Sequence, residues 1–449
     1  MQRALAFDRS PPLGVAFRFF LNVPAFLMLA ALALGGLALS GAPYTRWNPG
    51  VLGIVHLLTL GVVASAMLGA MMQILPVAAH IRVLHPSITS LLVHGCLSLG
   101  TLSLAGGFAS GASAFHAVAI ILLVGAFGIF LIATVGGLLR DGRQRSPGSK
   151  EVLIAVRLAL AALAITITLG VLMAGIRAGF WRAEWAGAAG WLHGFPDLHA
   201  LWGLAGWVGL LIAGISYQVI PIFQATEIYP RRLTDTLAPV VFLLLIAVTV
   251  AISRPPADSG MLLRWLPATL LCLAYLLYGS TTAWLLFTRK RPAPEPTTWF
   301  WHVAMVCLIS AAILGGAYPW LTRNDIIPIG TLQMLVGTLL IPGVAVSAVN
   351  GMLYKIVPFL LWHNAQRRAP VALPFMPKVK QFISERDAMR QFVAHACAVV
   401  LLTAACVTPV LLLPAALTLA VSAGLLAKNI GQALKLYLDT CRRIEEAAR

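Results

Sequence analysis

Twelve long apolar runs constrain this chain more than any other feature. A bilayer core takes about 20 consecutive apolar residues per helical crossing. Runs of that kind cover positions 16–40, 51–77, 87–108, 114–138, 152–176, 199–223, 236–253, 265–287, 299–317, 327–361, 390–412 and 414–436. Apolar residues make up 59% of the chain and charged residues only 10%, against about 25% charged in a soluble domain. A water-soluble fold is therefore excluded. Lipid offers no partner to unpaired backbone groups, so each run is expected to be a helix. The fold class that follows is an all-α polytopic membrane protein of twelve transmembrane helices, a single transmembrane domain over 1–449. The run at 327–361 is long for one crossing, so it tilts or extends beyond the bilayer.

Lys and Arg total 32 against 15 Asp and Glu, a net charge of +17. In such a chain the excess reads as a topology signal rather than nucleic-acid affinity. One set of loops carries Arg82, Arg140, Arg143, Arg145, Lys150, Arg231, Arg232, Arg289, Lys290, Arg291, Arg367, Arg368, Lys378, Lys380, Arg442 and Arg443; the alternate set carries far fewer. The bias predicts both termini in the cytoplasm of a bacterial inner membrane, with the lipid bilayer as the main partner. The first run is too long for a signal peptide and reads as an uncleaved span. Trp181, Trp185 and Trp191, in the outer 177–198 loop, suggest a short helix in the membrane interface. The 364–389 loop, with Pro370, Pro374 and Pro377, reads as a structured crossover. Six cysteines without a CxxC pair give neither a disulfide framework nor a zinc knuckle.

A short unit recurs three times. The copies are Gly69…Gln73…Pro76, Gly214…Gln218…Pro221 and Gly351…Lys355…Pro358, each with a second glycine eight residues earlier, Gly61, Gly206 and Gly343. They fall near the inner ends of the second, sixth and tenth helices. Offsets of four and seven put the glycine, the Gln or Lys, and the proline on one helical stripe. Glycine lets a neighbouring backbone approach, and proline frees a carbonyl one turn earlier. This is first a packing and kink motif. Its spacing predicts three quasi-equivalent four-helix units, approximately 1–150, 151–297 and 298–449. Lys355 is the one cation well inside a copy, and its simplest reading is a side chain reaching to the nearby inner surface.

No Asp or Glu sits in mid-span, which argues against a proton-coupled carrier. The ten histidines divide by depth. His56, His116, His193 and His199 lie toward the outer face; His80, His85, His94, His302, His363 and His395 lie toward the inner one. Imidazole is a natural ligand for haem iron and copper and is costly to bury without a partner. His56 and His199 enter from helices 2 and 6. Facing across a central space they would hold a haem between them, or a copper ion with help from His193 or His116, with Asp197 placed to orient one ring. The competing reading makes Asp197 a first-turn helix residue and His56 an ordinary core histidine. His302, His363 and His395, with His80 and His94, form a weaker second candidate site. Met67, Met71 and Met72 read as core filling before they read as Cu(I) ligands.

Twelve helices in three arcs, with histidines entering from helices 2 and 6, resemble subunit I of the haem–copper oxidase superfamily, which includes the nitric oxide reductases. The segment Val55-His56-Leu57-Leu58-Thr59-Leu60-Gly61, followed by Gly69, Gln73 and Pro76, looks like that family's second helix. Together with Phe17-Arg18-Phe19-Phe20 it also resembles the shorter NnrS-type membrane proteins. The resemblance implies haem b and/or copper as cofactor, His56 as a ligand, and a role in respiratory or nitrogen-oxide metabolism beside a cytochrome or respiratory subunit. It departs at helix 10, where the family carries two histidines and this chain has none between Ile327 and Leu361. The family's copper histidines deep in helix 6 and after helix 7 are missing too, so a complete oxygen-reducing binuclear centre is not implied. Two other classes remain open, a permease for a small solute and a non-catalytic or assembly subunit.

Overall fold

A computed structural model describes residues 9–141, 150–182, 194–253, 261–291, 293–369 and 375–447. Twelve helices among them are long and apolar enough to cross a membrane. We number them α1 (Leu13–Leu39), α2 (Pro49–Ala79), α3 (Pro86–Ser110), α4 (Ser113–Asp141), α5 (Lys150–Ala178), α6 (Phe195–Gln224), α7 (Arg231–Ser253), α8 (Trp265–Phe287), α9 (Pro296–Gly316), α10 (Ile329–Arg368), α11 (Glu385–Ala405) and α12 (Pro409–Ala447). No strand occurs among the described residues. The expected spans are all present. The last two differ most: α11 starts earlier because Ser384 caps it by accepting from the Asp387 amide, and it stops before Pro409, which opens α12, itself extended well past the expected end to Ala447. α10 runs for 40 residues, well past one crossing.

Successive helices pack side by side, and α12 packs back onto α1. α2 and α10 are the most enclosed of the twelve. Each of α2, α6 and α10 contains an eight-residue π-helical segment, Leu57–Ala64, Trp202–Gly209 and Leu339–Val346. The segment of α10 touches those of α2 and α6. Each begins twelve residues before the motif glycine, so the recurrence in sequence is matched by a recurrence in backbone shape. A widened turn of this kind is rare and needs outside support.

The glycines supply that support. A Cβ on Gly69 would lie 2.8 Å from the Phe19 Cβ of α1, one on Gly214 2.5 Å from the Ala155 Cβ of α5, and one on Gly351 2.7 Å from the Phe300 Cβ of α9. One level further along, Gly61 meets Phe26, Gly206 meets Ala162 and Gly343 meets Cys307. The partner residues are seven apart in all three pairs, whereas the glycines are eight apart. In an unbroken α-helix, eight residues leave the second glycine about 80° off the first. The extra residue is absorbed by the π-helical turn, which brings both glycines onto one face.

The proline ends of the three motifs differ. α2 stops at His80 and α6 at Ala225, each a left-handed residue four positions after its proline. α10 continues ten residues past Pro358. The ammonium of Lys355 pairs with Glu295, the residue preceding α9, and both side chains keep some exposure. Gln73 donates to the Ser10 hydroxyl at 2.6 Å, and Gln218 is buried.

Candidate functional site

His56 is the last residue before the π-helical turn of α2, and His199 lies on the first turns of α6, three residues before its π-helical turn. They do not occupy equivalent positions of the repeat. The packing nonetheless brings them together: their ring centres are 6.2 Å apart and their planes 27° from parallel. Each ring is fixed through Nδ1, which lies 2.8 Å from the Leu52 carbonyl in His56 and 3.0 Å from the Thr166 carbonyl of α5 in His199. A carbonyl only accepts, so Nδ1 carries the proton in both rings. Each Nε2 then holds a lone pair, the tautomer that binds a metal.

Phe108 of α3 covers the other face of His56 at 5.4 Å and 26°, and the Arg177 guanidinium lies over Phe108. Gly170 makes room for His199, since a Cβ there would stand 3.0 Å from its Cε1. Both imidazoles are enclosed among helices yet keep some accessible surface.

The donor set fits haem iron or copper. The ring centres lie 6.2 Å apart, and the two Nε2 atoms would be the donors that hold such a metal. The fit rests on two nitrogens only. Among the described residues, no group of three or more His, Cys, Asp or Glu side chains gathers as a metal site.

The remaining outer residues are not joined to this pair. His116 is buried, but Phe108 stands between it and His56, meeting His116 edge-on at 5.4 Å. Its Nδ1 faces the Ala112 carbonyl, and its Nε2 has no hydrogen-bond partner. His193 lies outside the described residues, as do Trp185 and Trp191. Asp197 does not orient His199; its carboxylate is taken by Arg46 at 2.6 Å. Trp181 folds back onto α5 and donates to the Leu172 carbonyl.

The inner histidines do not converge. His395 is fully buried, with Nε2 2.8 Å from the Ser347 hydroxyl and Nδ1 3.4 Å from the Asn350 amide. His94 meets the Asn22 carbonyl oxygen at 3.1 Å. His302 packs against Phe287 and Trp299, and His363 stacks on Phe359. His80 and His85 hold the connection between α2 and α3 in left-handed conformations. Met67, Met71 and Met72 are buried in the core.

Sequence reasoning missed Phe108 and the two carbonyl anchors. Phe108 has no motif around it, and carbonyls carry no residue signature. Fold and site together define a twelve-span helical membrane protein with a paired-imidazole site. No protein-family model matches the chain, and no curated protein matches it.

Proposed function

We propose that this chain is a haem- and/or copper-binding protein of the bacterial inner membrane, with both termini in the cytoplasm, built on an oxidase-like frame of three four-helix units. The equal register of the three glycine pairs and their π-helical turns supports the threefold frame. One observation carries the functional reading: the His56 and His199 rings lie 6.2 Å apart, each with its Nδ1 proton committed to a backbone carbonyl and Nε2 as its remaining donor atom.

Bound there, a haem or copper centre supplies one-electron chemistry or binding of a small gas. The chain's own part is to hold two neutral imidazoles in place. The Leu52 and Thr166 carbonyls fix their tautomers, and Phe108 shields one face from water. With no histidine between Ile327 and Leu361 to serve a second haem, the role is electron transfer or nitrogen-oxide handling rather than oxygen turnover, alongside a cytochrome or respiratory subunit. An absorption spectrum and metal analysis of the purified protein test this. A Soret band or stoichiometric copper, lost in both His56→Ala and His199→Ala, supports it; neither signal in the wild type sinks it.

A second reading, a permease for a small solute, draws on the same three interrupted helices, since broken helices at a repeat interface are a transporter feature. Solute uptake by metal-free protein in proteoliposomes favours it.

A further inference from the structure

The connection between α2 and α3 is tied down along its length. Ile81 and Val83 are buried. The Leu84 amide donates to the Ala133 carbonyl of α4, and the Arg82 amide donates to Asp141. Arg140 donates to the Arg82 carbonyl at 3.0 Å, and Gly137 permits that approach, since a Cβ there would strike the same carbonyl. His80 and His85, at the two ends of the connection, are two of the four described non-glycine residues with positive φ, at 59° and 42°. Such strain persists only where surrounding structure holds it, and it concentrates at ligand-binding positions.

This segment walls an open cavity of about 440 Å³ at the helix ends. Arg9, Arg82, Arg140 and His85 stand around it, and Met72 and Pro76 of α2 are among its apolar lining. Asp141 is the carboxylate paired there, with Arg140 at 2.8 Å. Three guanidinium groups against one carboxylate leave the described rim with a net positive charge. The apolar floor is unsuited to a fully hydrated ion. Close by on α3 and α4, Ile88 and Leu139 are 62% and 77% exposed, an apolar flank facing lipid. The site therefore offers cations at headgroup depth and an apolar wall leading into the bilayer.

We propose that this cavity binds the phosphate headgroup of an anionic phospholipid, with Arg9 and Arg82 as the principal contacts and the acyl chains along α3 and α4. Basic pockets between helices on the cytoplasmic side suit such headgroups, and the loop-charge bias assigns this side to the cytoplasm. Arg140 acts as a positioning residue, because its guanidinium holds the Arg82 carbonyl.

The test uses the full-length protein, purified in detergent and analysed by native mass spectrometry and thermal melting. Phosphatidylglycerol is the probe, with phosphatidylcholine and inorganic phosphate as separate arms. We expect phosphatidylglycerol to be retained and to raise Tm, and neither other arm to do so. Arg9→Gln and Arg82→Gln should each weaken retention about fivefold, and the double variant should abolish the Tm rise. Arg231→Gln with Arg232→Gln, at another basic loop, should leave both readouts unchanged. Equal retention of phosphatidylcholine, or a double variant that behaves as wild type, overturns the proposal. A Tm rise from inorganic phosphate alone equal to that from the lipid overturns the lipid assignment. A double variant whose lipid-free Tm matches wild type but which loses retention separates binding from misfolding.

Discussion

Two histidine environments in this molecule differ in burial and in hydrogen bonding: His395 is fully buried, whereas His56 and His199 keep some accessible surface. At His395 every donor has an acceptor. The Asn350 amide donates to Nδ1, Nε2–H donates to the Ser347 hydroxyl, and that hydroxyl donates to the Pro342 carbonyl at 3.2 Å. The ring is saturated and serves as a rivet between α10 and α11. At His56 and His199 a single nitrogen per ring, Nδ1, is anchored by a carbonyl. The comparison teaches that a ligand-binding imidazole needs an uncommitted nitrogen, which the His395 ring lacks, and that such a nitrogen alone does not define a site, since His116 has one too.

The sharpest way to break that contrast is to remove the imidazoles in turn. His56→Ala and His199→Ala should each abolish the haem or copper signal while the protein still folds, as read by absorption and metal content. His395→Ala should do the reverse. It keeps the signal but strands the Ser347 and Asn350 groups, costing about 1–3 kcal/mol, seen as a lower Tm. If His395→Ala also loses the cofactor, the two environments are not functionally distinct.

Glycine substitutions give the next effect. Gly61→Ala drives a methyl into Phe26 within the turn that begins beside His56. It should cost about 1–3 kcal/mol and lower cofactor content. Gly343→Ala pushes on Cys307 at the matching point of α10, where Thr338 stands in place of His56. It should lower Tm alone, leaving metal content per folded protein unchanged.

The smallest effect belongs to Glu295. Burial by itself would raise its pKa, but Lys355, Lys380 and Arg291 override this and hold it below the ordinary value of 4.5. A depressed carboxylate stabilises the fold at neutral pH, and that contribution is lost as pH falls through the acid range. Glu295→Gln should remove this part of the acid dependence, a difference of less than about 1 kcal/mol. A melting series from pH 7 to about 3 measures it, with the cofactor spectrum as an unaffected control.

The spans were legible in the sequence because lipid permits only apolar helices there. So was the shared depth of His56 and His199. The glycine spacing of eight held more than a packing motif. Read against partner residues spaced by seven, it encodes the extra residue of each π-helical turn, but the partners on α1, α5 and α9 are as different as Phe26, Ala162 and Cys307. That pairing emerges only from three-dimensional packing. Of the two readings of Asp197, the first-turn helix residue holds, whereas the partner of its carboxylate is Arg46, far away in the chain, which no local pattern announces. The partner of Lys355 was not legible either, since Glu295 reaches it from the start of α9.

The unequal lengths of the central helices make the two ends of the protein mechanically unlike. At about twice the hydrocarbon thickness, α10 cannot end flush with the bilayer. Its final turns are lashed to the tail of α12 by Tyr437 donating to Asn364 at 2.6 Å, with Arg368 near Glu445. The last turns of α10 and α12 therefore brace one another as a paired extension of the bundle.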